Sequence, residues 1–295
     1  MKNIIFDLDY YSPDTIEEVL KLLSQDEEET TKLIAGGQSL IVLLKQRLII
    51  PKCLISIKGL TTLDYIKFDE KQGLKIGALT SHRSIEKSTV IKEKCSVLSE
   101  MEHNLSSVET RNWGTIGGNV SHGDPSADPM PVFMALNAKL KVVGLAGERF
   151  VDADDFTTGY YETALHHNEL LTEIQVPSPP PHTGVKYTKF SQITGDHAIA
   201  SAAISITLDK NKETCKDARI VLGAVEPVPL RVKKAEDILK GQKLTDDLLA
   251  RAGQIASEEA TFSSDSEASK EYKQELAGVL VKRTGKEAFE KAVKA

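Results

Sequence analysis

The chain has 295 residues, 40% hydrophobic and 27% charged, with a formal net charge of −6. That length accommodates two compact domains with sizeable cores. The acidic balance argues against a nucleic-acid-binding surface, which needs a clustered basic face, and no apolar run approaches the roughly 18 residues of a membrane span. Cys53, Cys95 and Cys215 are the only cysteines and form no C-x-x-C pair, so there is no sequence-local zinc or iron–sulfur signature. Such a sparse set fits a reducing cytoplasm, and the stretch Met1–Tyr10 is too short and too acidic for a signal peptide.

In chain order, Asp7–Tyr11 reads as a short strand, and Ser12-Pro13-Asp14-Thr15 starts a helix whose apolar residues run from Ile16 to Leu23. Lys32–Ala35 is a buried strand running into Gly36-Gly37, and Leu40–Leu44 opens a second helix. Pro51 ends that helix, because the residue before a proline is pushed from helical angles. Cys53–Ile57 is a strand, Asp64–Phe68 and Gly73–Gly77 a hairpin, Thr80–Ile85 a capped helix start, and Val90–Val108 broadly helical. Met130–Leu136 is a short apolar helix, Lys139–Val143 and Arg149–Val151 are paired strands, and Asp152–Phe156 caps a short element. Glu169–Val176 is a strand ended by Pro177. Ser178–Gly184, with prolines at 179–181, is an extended connector. Beyond it, Gly184–Phe190, Ala198–Leu208 and Ala218–Val225 are strands, and 233–295 is helical in period with a loop around 261–264.

The chain is organised around Thr110–Pro129, which holds Gly114, Gly117, Gly118 and Gly123, two prolines, two aspartates and the only tryptophan. Each glycine costs about 1 kcal/mol in a helix interior, so the stretch reads as a loop rather than a helix. Glycine amides can point into a shared hollow and hold an anion; a tight structural turn is the plainer alternative. A second segment of the kind, Ala35-Gly36-Gly37-Gln38-Ser39-Leu40, follows a strand and opens a helix, the arrangement that aims N–H groups at a phosphate. Two such segments suggest two nests facing one diphosphate. Neither G-x-x-x-x-G-K-[ST] nor a strand-borne G-x-G-x-x-G is present, which argues against the P-loop and weakens the dinucleotide Rossmann reading.

Ala35–Ser39, then Arg111-Asn112 with Gly114–Asn119, then His122, Asp124–Asp128 and Pro131, resemble the FAD-binding medium subunit of molybdenum hydroxylases, the carbon monoxide dehydrogenase, xanthine dehydrogenase and aldehyde oxidoreductase relatives. Tyr187-x-Lys189-Phe190 with Gly195–Ala198, and Leu276–Arg283, extend the resemblance over nearly the whole chain. It implies an α+β fold: a two-part FAD-binding domain of the vanillyl-alcohol-oxidase (PCMH) type over 1–177, with subdomains of about 1–58 and 59–177, followed by a smaller α/β domain over 178–295. It also implies that FAD is bound noncovalently by Ala35, Gly36, Gly37, Gln38, Ser39, Leu40, Thr115, Ile116, Gly117, Gly118 and Asn119, with Asp124, Asp128, Leu170 and Lys189 completing the site. Asp128 matches an acid near the adenosine end, Leu170 lies in a strand carrying a flavin-side contact, and Lys189 matches a lysine near the flavin pocket.

By the same resemblance, no residue here is an acid, base or metal ligand. A large molybdopterin subunit and a small [2Fe–2S] subunit are the expected partners, in a dimer of heterotrimers in the cytoplasm, and this chain passes their electrons to an external acceptor. A self-sufficient flavin oxidoreductase of the same superfamily and a non-catalytic scaffold are the rival readings. His122 reads as a loop hydrogen-bonder or, alternatively, an acid or base. Asp124 is a site residue or a turn cap. His166-His167 is a solvated loop rather than a metal site.

Overall fold

The computed structural model describes residues 8–225 and 227–295. Asp7, the first residue of the expected opening strand, lies outside the described residues, as does most of the stretch weighed against a signal peptide.

The first lobe comprises β1 (Asp9–Tyr11), α1 (Ile16–Ser24), β2 (Thr31–Ile34), α2 (Leu40–Gln46) and β3 (Cys53–Ser56). Its strands are parallel in the order β1-β3-β2, which requires crossovers that helices supply. The Thr15 hydroxyl caps α1 by accepting from the Glu18 amide, and Val19, Leu20 and Leu23 face the core of this lobe. Helix α2 stops earlier than Pro51 would require: Arg47 turns left-handed (φ 58°) and its N–H closes on the Leu43 and Leu44 carbonyls.

The second lobe runs through β4 (Ile66–Asp69), β5 (Gly73–Gly77), α3 (His82–Lys87), α4 (Thr89–Lys94), α5 (Ser96–His103), α6 (Val108–Trp113), α7 (Ile116–His122), α8 (Pro129–Ala135), β6 (Lys139–Gly144), β7 (Gly147–Asp152), α9 (Ala153–Phe156), β8 (Thr157–Gly159), β9 (Glu162–Thr163) and β10 (Leu170–Val176). Five strands form an antiparallel sheet, β4-β5-β10-β6-β7. The small β8–β9 hairpin had no sequence signal. The helical stretch expected from Val90 to Val108 breaks at Cys95 and again at 104–107, where Ser106 is left-handed (φ 46°) and the Ser107 hydroxyl starts α6 by accepting from the Thr110 amide.

The largest correction concerns Thr110–Pro129. Gly117 and Gly118 are helical, inside α7. The helix is capped by Thr115 and stopped by Gly123 in the left-handed region (φ 66°). A Cβ on Gly117 would stand 2.6 Å from both Cβ and O of Ala78, so the local propensity cost is accepted to bring α7 against the chain leaving β5.

The last domain pairs β11 (Thr183–Phe190), β12 (Ala200–Leu208), β13 (Cys215–Gly223) and β14 (Leu230–Arg231) antiparallel in that order, covered by α10 (Lys233–Leu239), α11 (Asp246–Glu259) and α12 (Lys270–Lys294). Strand β13 begins three residues before Ala218, and β14, next to Pro229, was not expected. Along β12, Ala202, Ile204 and Ile206 belong to the helix-side core, while Ala203, with Tyr187 and Val221, joins the core of the second lobe. This sheet is therefore packed on both faces, and the lobe it covers is the one that carries α7 and α8.

Candidate functional site

The three parts enclose one cavity of ≈ 870 Å³, within the size range typical of small-molecule and cofactor pockets, about 300–1,000 Å³. The turn between β2 and α2 forms one wall, α7 and the segment 121–128 a second, and the β11–β12 connection a third; Leu170 and Leu171 add apolar surface from β10.

The two glycine segments meet in this cavity on unequal terms. In the first, Gly37 is left-handed (φ 73°), and no described residue accepts a backbone hydrogen bond from the amides of Gly36, Gly37, Gln38, Ser39 or Leu40. In the second, the Ile116 and Gly117 amides donate to the Thr80 and Ala78 carbonyls (3.0 and 2.9 Å), and the Asn119 amide to the Thr115 carbonyl. The Gly118 amide donates to the Thr115 hydroxyl at 3.1 Å. The anticipated second nest of free amides is thus replaced by a capped helix end. The segments touch backbone to backbone: a Cβ on Gly36 would lie 2.0 Å from the Trp113 carbonyl oxygen. Asn119 carries the orphan of the site, since its buried side-chain oxygen Oδ1 has no hydrogen-bond partner.

Beneath the second segment lies a buried charge network. His82 Nδ1 sits 2.9 Å from Glu102, both side chains almost fully enclosed. Burial pushes the Glu102 carboxyl up, with His82 pulling against it. Arg111 donates to Glu86 at 3.1 Å and to the carbonyls of Leu105 and Ser106. Burial acts upward on Glu86 too, but Arg83, His103 and Arg111 outweigh it and hold the carboxyl at about 2.

Across the cavity, Asp128 is 5% exposed and accepts from Tyr187 Oη (2.5 Å) and Lys189 Nζ (2.7 Å), linking α8 to β11. Lys189 also donates to the Asp196 carbonyl at 2.9 Å, which ties down the connection carrying Gly195–His197. Burial and the adjacent Asp128 charge drive the Tyr187 hydroxyl well above its ordinary pKa. Near Asp124, the His122 ring packs at a tilt against Tyr161 (5.1 Å between centroids, 53° between planes). Burial lowers the His122 pKa, Asp124 opposes that, and His197 adds to it.

Of the residues singled out from the sequence, Ala35, Gly36, Gly37, Gln38, Ser39, Leu40, Thr115, Gly117, Gly118, Asn119, Asp124, Asp128, Leu170 and Lys189 all border the cavity. Ile116 does not; it is fully buried in the second-lobe core. His122 joins the wall and Trp113 points outward, 56% exposed, with Lys58 Nζ 4.0 Å from its ring centre. His167 pairs with Glu29 rather than with His166. The sequence had assigned no site role to His82, Ser106, Tyr161 or His197, which reach the wall from the start of α3 and from three separate connections; only His197, beside the noted Gly195-Asp196, carried any signal.

The chain matches two family models: the FAD binding domain in molybdopterin dehydrogenase over residues 6–179, and the CO dehydrogenase flavoprotein C-terminal domain over 186–288. It is 34% identical to the glyceraldehyde dehydrogenase medium chain of Sulfolobus acidocaldarius, covering 94% of this chain and 97% of that one. It is also 34% identical to the carbon monoxide dehydrogenase medium chain of Afipia carboxidovorans, with 96% and 97% covered. Among solved structures, carbon monoxide dehydrogenase from Hydrogenophaga pseudoflava superposes with a TM-score of 0.92 at 33% identity, over 96% of this chain and 98% of that chain.

Proposed function

The chain belongs to the FAD-binding medium chains of the molybdenum hydroxylases, and from that premise we propose how its cavity holds the cofactor and what surrounds it in the working enzyme. The chain is the flavoprotein subunit of an oxidoreductase whose molybdenum and iron–sulfur centres sit on other chains. FAD, when bound, would supply the redox chemistry by which this subunit carries electrons from the [2Fe–2S] clusters of a partner to an external acceptor.

One observation carries the assignment of the site: five consecutive amides, Gly36 to Leu40, lie in the wall of the cavity with no backbone acceptor among the described residues. Gly36, Gly37 and Leu40 are half-buried and Gln38 and Ser39 exposed, and an anion such as a diphosphate would satisfy their free amides. Ala35 leads the chain into that turn. Across from it, Thr115 offers a hydroxyl to polar groups of the cofactor, and Asn119 borders the same surface with its carboxamide oxygen buried and unpartnered. Gly118 removes bulk from the same surface, while Gly117 and Ile116 act from behind by seating α7 on the core. Leu170 supports an apolar ring. Asp124 takes the polar end, and Asp128 works through Lys189, whose remaining N–H is available to the cofactor.

The cofactor is held noncovalently: no cysteine borders the cavity, and of its bordering histidines His82 is committed to Glu102. Domain limits at 58 and 177 are supported by the end of β3 at Ser56, of β10 at Val176 and the start of β11 at Thr183. Among the described residues no helix is long and apolar enough to cross a membrane. With three free cysteines, the chain works in the cytoplasm, within a dimer of heterotrimers formed with a large molybdopterin subunit and a small [2Fe–2S] subunit.

An absorption spectrum of the purified chain, before and after acid precipitation, tests this. Flavin bands that pass into the acid supernatant are the expected result. A folded, colourless protein that takes up no added FAD refutes the site; flavin retained in the pellet refutes noncovalent binding and directs attention to His122.

A further inference from the structure

His82 opens α3, and the Ser81 hydroxyl caps that helix by accepting from the Ser84 amide. The His82 amide donates to the Gly114 carbonyl at 3.1 Å, which fixes the ring beside the second glycine segment. The ring is only 2% exposed, yet it borders the cavity. Nδ1 lies 3.0 and 2.9 Å from the two carboxylate oxygens of Glu102, whereas Nε2 bonds to no described residue. A polar atom on so enclosed a side chain is ordinarily satisfied. The edge that carries Nε2 is located by the neighbouring ring carbon Cδ2. A Cβ on Gly114 would stand 3.0 Å from that carbon and 3.6 Å from Gln38 Cγ, and a Cβ on Gly36 would stand 2.9 Å from the Gly114 Cα. The unpartnered edge of His82 therefore lies at the seam where the two glycine segments touch, beside the free amides of Gly36–Leu40.

We propose that His82 is a ligand of the cofactor's diphosphate, taking up a proton at Nε2 as FAD binds while Nδ1–H stays on Glu102. This deepens the flavoprotein reading above and rests on it. With Nδ1–H donated to the carboxylate, a neutral ring presents a lone pair at Nε2, which repels a phosphate oxygen; a protonated ring presents a second N–H, which donates to one. The proton comes from solvent. Glu102 stabilises the imidazolium from behind, and the bond it makes to phosphate is charge-assisted. Other cations are poorly placed for this. Gly36–Leu40 contains no ionisable side chain, Lys32 borders the cavity but is exposed, and Lys189 is paired with Asp128. The elements packed on α3 are α4, α5 and α6. Arg83 and Lys87 of α3 itself, His103 of α5 and Arg111 of α6 all pair with Glu86. Lys92, Glu93 and Lys94 of α4 are exposed. Arg111 and Asp128 act on Glu102 in opposite directions. His82 is left as the ionisable group whose free edge faces the place of the diphosphate.

The test uses the deflavinated full chain and FAD. Calorimetric titration in two buffers of unlike ionisation enthalpy counts the protons taken up, and a net uptake approaching about one proton per FAD is expected. The affinity should fall about tenfold as pH rises from about 6 to about 9, because the protonated ring is the form that binds. His82→Gln keeps a donor and loses the charge. It should bind FAD about tenfold more weakly at the acid end, with a flat pH profile, no proton uptake and displaced phosphorus resonances of the bound diphosphate. Glu102→Gln, which withdraws the counter-charge, should move the fall in affinity to lower pH. His122 and His197 also border the cavity, so a pH slope and proton uptake that persist in folded His82→Gln belong to them and overturn the proposal. Wild-type chain that binds FAD with no proton uptake and a pH-independent affinity also overturns it, and that readout needs no variant. A wild-type chain that takes up no FAD at any pH is a separate result, and it removes the flavoprotein reading itself.

Discussion

Gly117 presses on Ala78 with a fully buried Ile116 beside it, and every amide from Ile116 to Asn119 already has an acceptor. Gly36 presses on Trp113 from a turn whose following helix contributes nothing to any core. The second segment's amides are satisfied as folded, and it is held from behind by the Glu86–Arg111 and His82–Glu102 pairs and at its far end by Asp128. The first is left open on the cavity side by its amides and on the solvent side by its apolar surface. One half of this site is a rigid anvil. The other keeps free amides on its inner side and exposed apolar side chains on its outer side.

Removing the far anchor should have the largest effect. Asp128→Asn leaves Lys189 buried without its counter-charge and should cost about 3–5 kcal/mol, measured by denaturant unfolding. Loosening of the 191–197 connection should appear as faster proteolysis there. A near-neutral result would mean the second segment stands without the C-terminal domain.

Next comes the acid limb. Glu86 is held at about 2 against an ordinary value of 4.5. Because its folded pKa is depressed, its contribution is complete above pH 4.5 and is lost as pH falls toward 2. One such shift is worth roughly 3 kcal/mol. Stability followed from pH 6 downward should therefore fall more steeply in the wild type than in Glu86→Gln, which lacks the contribution at every pH.

The direct comparison of the two segments is Gly117→Ala against Gly37→Ala. The first drives a Cβ into Ala78 and should cost about 3 kcal/mol by overpacking, with or without FAD. The second meets only side-chain atoms of Ile41 and Ile34 but strains a left-handed residue, at about 1–2 kcal/mol. Its main consequence should be FAD affinity reduced about tenfold in a flavin titration. Equal stability losses in the two variants would erase the distinction.

The smallest effect is expected at Thr115→Ala, where loss of a helix cap costs about 1 kcal/mol and frees only the Gly118 amide. Hydrogen exchange sharpens the same point. Amides 36–40 should exchange quickly in the deflavinated chain and slowly with FAD, while those of 116, 117 and 119 are protected in both.

Much of the fold was legible because its signals are local. Thr15 and Ser81 cap the helices their positions announce, the 64–77 and 139–152 hairpins are written in alternation and turn residues, and Pro177 with the prolines at 179–181 stands between β10 and β11. The two glycine segments were expected to face one another across a shared hollow, and both do border the same cavity. What escaped was non-local. Gly117 and Gly118 lie in a helix because Ala78, distant in sequence, needs the space and the core beneath offsets the propensity cost. Whether an amide is free depends on carbonyls at Thr80 and Ala78 that no spacing rule reaches. Lys189 and Asp128 are recognisable as charged residues, but their pairing exists only because β11 is laid against α8. Sequence by itself determined the elements, their approximate order and the chemistry of the glycine turns, all set by forces within a few residues of chain. The tertiary structure alone decided which of the two turns stays unsatisfied and which helix face is left bare, because satisfaction and burial are properties of neighbours in space.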